Sequence, residues 1–399
     1  MTSDQLHQRV QEALDSSSAA GFAPWSDADF ESLARSLFAH QYDGCAPYRH
    51  YCEVREVSPQ SLGTWLDIPA VPTEVFRTVD LCTFPAAEAE LCFLTSGTTA
   101  GERGRHFLRR SQSYEASLGP WLDAHLLPKG DTPRILVLAP SVADDPHSSL
   151  SFMLQWAVER RGAAGSCFCW KEGLPDLQGA TSKLSDAVDD GQPVLVLGTA
   201  RALQALLEGT IRGELPGPVV LPQGSRIMET GGFKGAAATL DRDAFYRGLS
   251  KLLGVPPASI VSEYGMTELG SQGYQPGLRM RTDEALAESL EALLLREPEL
   301  ADPWGVPRLF VFPPWCRVRA VDPHTLKLLP SGEAGLLRFW DLSNVDSVQV
   351  VQTADVGRVL PEGVVLEGRA PGAPPRGCSL AVDEVLAAAA RSSATAQAD

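Results

Sequence analysis

Apolar positions fall into three textures along the chain. Phe30, Leu33, Leu37 and Phe38 lie at helical spacing on one face, behind the capping candidates Ser26 and Asp27. The N-terminal MTSDQLHQRVQEALD is polar and helix-like, so residues 1 to about 65 are predicted to be helical. Ile68–Phe76, IPAVPTEVF, is too rich in proline for a helix interior. The middle of the chain alternates. Leu91–Leu94 is a short apolar run before a loop; strands are predicted at RILVLAP (134–140), PVLVLGTA (193–200) and PVVLPQGS (218–225), and SIVSEYGMTE (259–268) reads as a strand running into a loop. Cys167-Phe168-Cys169 reads as alternation within a further strand. Helices are predicted at Ser149–Gly162, RALQALLEG (201–209) and Asp241–Gly254. Apolar strands alternating with helices imply a mainly parallel sheet covered on both faces. After residue 300 the strands become shorter and alternating, in RLFVFPPWCRVRAVD, GEAGLLRFWDL and SVQVVQTADVG, which predicts a smaller β-rich lobe.

Composition narrows the classes. The chain has 399 residues, 44% hydrophobic and 21% charged, as expected of a globular protein with a large core. Its formal net charge of −16 disfavours nucleic acid and anionic membranes as partners. No run of about 18 apolar residues predicts a membrane span, and the N-terminus lacks the apolar core of a signal peptide; a cytoplasmic location is expected. Eight cysteines stand at 45, 52, 82, 92, 167, 169, 316 and 378 without a C-x-x-C pair, so they are read as thiols. There is no Walker A spacing, H-E-x-x-H, zinc-type cysteine spacing or G-x-S-x-G elbow.

Three stretches carry chemistry. LCFLTSGTTAGERGRH (Leu91–His106) places Thr95, Ser96, Gly97, Thr98 and Thr99 directly after an apolar run, followed by Gly101, Arg103, Gly104 and Arg105. Small residues let backbone amides converge on an anion, hydroxyls add donors, and arginines pair with phosphate. By composition alone the stretch reads equally as a flexible surface turn. SEYGMTELG (Ser262–Gly270) puts Tyr264, Gly265, Thr267 and Glu268 at the end of a predicted strand, where open α/β sheets bind ligands. Tyr264 can stack on a base, Thr267 can bond a phosphate and Glu268 can hold Mg²⁺; alone the motif is also compatible with a turn. In QTADVGRVLPEGVVLEGR (Gln352–Arg369), Asp355 can accept both hydroxyls of a ribose or simply cap a turn.

In combination these stretches resemble the adenylate-forming superfamily of acyl-CoA synthetases, peptide-synthetase adenylation domains and beetle luciferases. There a T-S-G-T-T-G loop wraps the ATP phosphates, Y-G-x-T-E holds adenylate and Mg²⁺, and T-G-D binds ribose. The same order stands here at Thr95–Ala100, Tyr264–Glu268 and Thr353–Asp355, with Ala100 and Ala354 in place of glycines and Arg103 where many members carry lysine. A closer resemblance is to the acyl-protein synthetases of bacterial luminescence, the long-chain-fatty-acid–luciferin-component ligases. It rests on FESLARSLFAHQY (30–42), PYRHYC, IPAVPTEVF, LTSGTT, METGGFKG (228–235), SEYGMTEL and RGCSL (376–380).

The resemblance implies an adenylate-forming α/β fold with parallel sheets flanked by helices, a β-rich lobe, and a C-terminal lid truncated or absent. The expected segments are 1–65 helical, 66–300 the α/β core, 301–369 the β-rich lobe with Asp355, and 370–399 a short tail with Cys378. It implies ATP-dependent activation of a carboxylic acid, transfer to Cys378 as thioester, and delivery to an acyl reductase. An external thiol on coenzyme A or an acyl-carrier protein is the alternative, and a non-catalytic subunit of the same fold a third. Gly231 and Gly232 of METGGFKG imply close backbone approach to the adenylate, or else a plain turn; His106 and Ser148-Ser149 are expected nearby. Full-size members of the wider superfamily deliver a lysine from a mobile C-terminal lid, but the only lysine after residue 300 here is Lys327. Arg338, Arg358, Arg369 or Arg376, or a partner, would take its place. Cys378 follows Arg376 ahead of a predicted helix, a setting that favours a thiolate or, equally, a small residue packing on that helix.

Overall fold

The computed structural model describes residues 1–95, 102–231 and 241–370, together with 382, 384–387 and 389. Helices α1 (Ser3–Ala19), α2 (Asp27–Gly44) and α3 (Ala46–Val54) open the chain. Strand β1 (Val71–Pro72) and the hairpin β2 (Leu91–Leu94) and β3 (Arg105–Leu108) follow, then α4 (Ser111–Leu126). The middle alternates through β4 (Arg134–Leu138), α5 (Ser149–Arg161), β5 (Cys167–Phe168), the short pair β6 (Trp170–Lys171) and β7 (Leu174–Pro175), α6 (Leu177–Asp189), β8 (Val194–Thr199), α7 (Ala200–Ile211), β9 (Arg226–Thr230), α8 (Arg242–Leu253), β10 (Ile260–Tyr264), β11 (Gly273–Tyr274) and α9 (Glu284–Arg296). Four longer strands close the sequence: β12 (Cys316–Val321), β13 (Ala334–Asp341), β14 (Val350–Leu360) and β15 (Gly363–Arg369). The chain divides into two compact units. One holds Met1–Pro120, Met266–Gln272 and the chain from Phe312 onward; the other holds Trp121–Gly265 and Gly273–Val311.

The second unit is built on a six-stranded sheet in the order β5-β4-β8-β9-β10-β11. The first five strands are parallel and β11 pairs antiparallel at the edge. All five residues of β4 are buried, as an apolar run in a parallel sheet requires. Val196, Ile227 and Ile260 on the strands pack with Phe245, Tyr246 and Leu249 of α8, each large side chain contributing roughly 1.5–3 kcal/mol by leaving water. Asp241 caps the start of α8, and Gly254 ends it at φ +67°, where a Cβ would also lie 2.8 Å from Val220.

One predicted strand is displaced. Residues 218–225 form no strand, because Pro218 and Pro222 bring no N–H to a ladder. Val219 and Leu221 instead donate to the carbonyls of Leu252 and Leu253 at the end of α8, and the strand is Arg226–Thr230. Likewise, RLFVF contributes only an isolated bridge from Val311 to Tyr274, and the strand begins at Cys316, beyond Pro313-Pro314.

The first unit carries a five-stranded sheet in the order β1-β14-β13-β12, with β15 also on β14. β1 is parallel to β14 and the other pairs are antiparallel. Ser26 caps α2, whose Phe30, Leu33, Leu37 and Phe38 are buried. Trp65 links helix to sheet, with its ring 4.9 Å from Phe30 and 5.2 Å from Trp340. Polar side chains fix the rest: Gln41 donates to the Asn344 carbonyl at 2.7 Å, and Gln349 donates to the Ala34 carbonyl at 3.0 Å. Among the described residues no helix is long and apolar enough to cross a membrane.

Candidate active site

The opening motif sits on the β2–β3 hairpin of the first unit, paired Leu94 to Arg105 and Phe93 to His106. Its neck is tied shut. Thr95 N–H donates to the Gly104 carbonyl at 2.9 Å, and Gly104 N–H donates to Thr95 Oγ1 at 2.8 Å. A Cβ at Gly104 would lie 2.9 Å from the Thr95 methyl, so only glycine permits this approach. Arg103 spends its guanidinium on the same neck, donating to the carbonyls of Thr95 at 2.6 Å and Leu94 at 3.0 Å. Ser96, Gly97, Thr98 and Thr99, expected to hold phosphate, lie outside the described residues, as do Gly232, Arg376 and Cys378.

His106 joins this hairpin to the second motif. It is fully buried, and its Nδ1 lies 2.7 Å from the Thr267 carbonyl. Burial holds its pKa down, to about 4, so the neutral ring donates the Nδ1 proton to that carbonyl. The turn itself is stitched to the end of β13. Gly270 N–H and the Ser271 hydroxyl donate to the Asp341 carboxylate at 2.9 and 2.8 Å, and Asn344 Nδ2 donates to the Glu268 carbonyl at 2.9 Å. A Cβ at Gly270 would collide with Ser343 Oγ at 2.4 Å.

Glu268 is the chemically notable group on this turn. Its side chain is buried, and desolvation pushes its pKa up to about 7. A hydrogen bond from its own backbone opposes this; Glu74 raises the value further, while Arg369 and Arg77 lower it. Asp355 on β14 faces Arg369 on β15 in register, with Arg369 Nε 3.9 Å from its carboxylate. Asp355 N–H is held by Thr353 Oγ1 at 3.1 Å. The first unit thus brings together Thr95, Arg103, His106, Thr267, Glu268, Asp355 and Arg369. Arg338 donates to Gln352 at 2.8 Å, and Arg358 pairs with Glu367 at 3.0 Å. Glu74 and Arg77 were not singled out from the sequence. The available signal was a charge pair in an otherwise apolar, proline-marked segment.

The second unit presents its motif residues at the carboxyl edge of the parallel sheet. Gly231 follows β9 at φ +87°, a conformation that favours glycine. Tyr264 ends β10, buried against Phe310 at 5.8 Å, and Gly265 is exposed. Thr230 hydroxyl donates to the Glu263 carboxylate across the strand pair. Ser148 serves as the N-cap of α5 through the Ser151 amide.

A metal fits the first unit's turn only with help. Among the described residues no cluster of three or more His, Cys, Asp or Glu could hold one alone. Mg²⁺, however, often takes one or two carboxylates and completes its shell with water and substrate phosphates. A buried carboxyl poised near neutrality, as at Glu268, suits that need.

The fold is that of adenylate-forming ligases. A solved 2-hydroxyisobutyryl-CoA ligase, in an open conformation with 2-HIB-AMP and CoA, superposes with a TM-score of 0.57 at 12% identity, covering 86% of this chain and 68% of that one. The ATP-bound MatB of Rhodopseudomonas palustris aligns at 18% identity with a TM-score of 0.46, and this chain spans about half (53%) of its length. The resemblance to acyl-protein synthetases also holds at the level of sequence: residues 25–113 match the family model "Acyl-protein synthetase, LuxE". The long-chain-fatty-acid–luciferin-component ligase of Vibrio harveyi is 23% identical over 85% of this chain and 80% of its own length. The same-named protein of Photorhabdus luminescens is 38% identical over 17% of this chain and 58% of its own.

Proposed function

We propose that this protein uses ATP to activate a carboxylic acid as its acyl-adenylate and passes the acyl group to a thiol, its own Cys378. The observation that carries the reading is the tie from His106 to Thr267, which links the hydroxyl-rich hairpin to the Glu268 turn within one unit. Similarity to ligases named for long-chain fatty acids supports a fatty or related acid as substrate.

The chemical difficulty is bringing a carboxylate to a phosphate of like charge. In this reading the amides and hydroxyls of Thr95–Thr99 receive the phosphates, Thr267 adds a donor, and Asp355 orients the ribose. By the motif resemblance, Gly231, Gly232, Tyr264 and Gly265 are also assigned to the nucleotide. Mg²⁺, with Glu268 and Thr98 as ligands, would offset phosphate charge when bound. The carboxylate oxygen attacks the α-phosphorus, pyrophosphate leaves, and Arg369 stabilises the charge that develops. A thiolate then attacks the activated carbonyl and AMP departs.

Most described cysteines are poor thiolates. Burial pushes Cys45 up to about 12 and Cys82 to about 11, whereas the hydrogen bond from Cys169 lowers Cys167. The test therefore carries two variants. Intact-mass spectrometry after incubation with ATP, Mg²⁺ and a panel of acids should show an acid-dependent adduct, absent in Cys378→Ala and retained in Cys167→Ala. Acid-dependent ATP–pyrophosphate exchange should persist in both. Exchange without an adduct, but with thioester formed on coenzyme A or a carrier protein, would favour the external acceptor. No exchange with any acid would leave the non-catalytic reading. Delivery to an acyl reductase extends the proposal and would appear as acyl loss from the adduct when reductase is added.

A further inference from the structure

A cavity of about 240 Å³ lies in the first unit, away from the Glu268 turn. Polar and apolar groups share its walls, the apolar part coming from Val57, Leu66, Ile68, Pro69, Pro72 and Leu326 among others. Two guanidinium groups, Arg55 and Arg338, line it together with Tyr51 and Gln352. Both arginines act on the Tyr51 phenol, so their charges converge on one region; burial still pushes that phenol up to about 12. Arg55 stacks 4.7 Å from the Tyr51 ring centre, and Arg338 is oriented by Gln352 at 2.8 Å and by the Leu326 carbonyl at 3.2 Å. The carboxylate within the lining, Asp67, is occupied by the amide and hydroxyl of Thr64. A carboxylate already bonds Arg55: Glu384 reaches it at 2.7 Å from the C-terminal helical segment.

We propose that this cavity is a binding site for a small amphiphilic anion, with a carboxylate or phosphate head on Arg55 and Arg338 and an apolar body against Ile68, Pro72 and Leu326. Guanidinium forks match such heads bidentately, and the volume suits a short-chain acid rather than a bare ion. Glu384 competes for Arg55, so an occupied cavity loosens the hold on the segment six residues beyond Cys378.

The experiment is calorimetric titration of the full chain, without nucleotide, with hexanoate and with hexyl phosphate. Hexanol and inorganic phosphate serve as head-less and body-less controls. Binding of at least one amphiphile should exceed both controls by about tenfold and should weaken by about tenfold in Arg55→Gln/Arg338→Gln. The relative strength of the two amphiphiles identifies the head. Glu384→Gln should tighten binding several-fold by removing the competitor. Arg55→Gln alone, which leaves Arg338 with Gln352, should also weaken it measurably. Titrations that are identical in wild type and the arginine variants would overturn the site, because any remaining binding would then lie elsewhere, including at the proposed acyl pocket. An unchanged affinity in Glu384→Gln would overturn the competition.

Discussion

The parallel sheet of the second unit and the Glu268 turn of the first are held by opposite means. Ile135, Leu136, Val137, Leu195, Val196 and Leu197 stand on adjacent strands with essentially no exposed surface, and their cohesion is apolar burial. The turn buries polar groups instead. Asp341 accepts from Gly270, Ser271 and Ser343, Asn344 holds the Glu268 carbonyl, and His106 holds that of Thr267. Apolar packing is non-directional and tolerates exchange of similar volumes. A satisfied buried hydrogen-bond network admits one geometry. The chain entrusts bulk stability to the first means and the position of its candidate chemistry to the second.

The largest expected effect separates these roles at one residue. Glu268→Gln should lower acid-dependent ATP–pyrophosphate exchange by about 10²–10³-fold, the usual cost of losing one group that stabilises developing charge. It should also raise the melting temperature at alkaline pH. The folded carboxyl titrates near 7 because burial penalises its charge, against an ordinary value of 4.5. Below 4.5 both states are protonated and nothing is lost. Between 4.5 and 7 the unfolded chain gives up its proton and the folded chain keeps it, so stability falls as pH rises. Above 7 the loss reaches on the order of 3 kcal/mol. A glutamine escapes it, so melting curves of the two proteins should coincide at pH 4 and separate at pH 8. Full exchange activity in the variant would remove Glu268 from the chemistry.

The same contrast explains what the sequence discloses. Strands β4, β8 and β10 and helices α2, α5, α7 and α8 announce themselves through periodicity and caps, because burial alone dictates their residues. The strand placed at 218–225 misleads for a local reason: Val219, Val220 and Leu221 are apolar, but flanking prolines commit their amides to the end of α8. In the first unit the turn at 266–272 packs with segments from residues 1–120 and beyond 312. Thr267 and Glu268 could be chosen by motif, whereas their supports, Asp341 and Asn344, are common polar residues more than 70 positions away. Nothing local marks them, since their partners are set by tertiary structure.

Two stability variants probe whether the division is real. Leu195→Ala, at the centre of the parallel sheet, should cost about 2–5 kcal/mol in denaturant unfolding. Exchange per folded molecule should be unchanged. Asp341→Asn should cost about 2 kcal/mol, since whichever way the amide turns, its NH₂ group meets a backbone N–H donor, that of Gly270 or that of Ser343. Here exchange per folded molecule should fall about tenfold. If Asp341→Asn keeps full exchange, or Leu195→Ala loses it, the two regions do not divide the work as argued.

The smallest effect is the sharpest, because it moves the turn without touching its acids. His106→Gln keeps a donor but shifts its reach, so the Thr267 carbonyl is held less well and Glu268 with it. The expected result is a fall in kcat of about three- to tenfold with KM for ATP nearly unchanged, the mark of a group felt in the transition state rather than in binding. His106→Phe, without a donor, should fall further. The pH profile supplies an independent check. The folded imidazole titrates near 4 because burial disfavours its charge, against 6.5 in the unfolded chain. Its contribution to stability is therefore complete above 6.5 and is lost as pH falls through 4, by on the order of 3 kcal/mol. His125, buried and lowered to about 3, adds to the same acid limb in both proteins. Removing His106 should flatten that limb between pH 6.5 and 4 without abolishing it. A variant with an unaltered acid limb and unaltered kcat would show that the hairpin and the Glu268 turn are aligned by something other than this hydrogen bond.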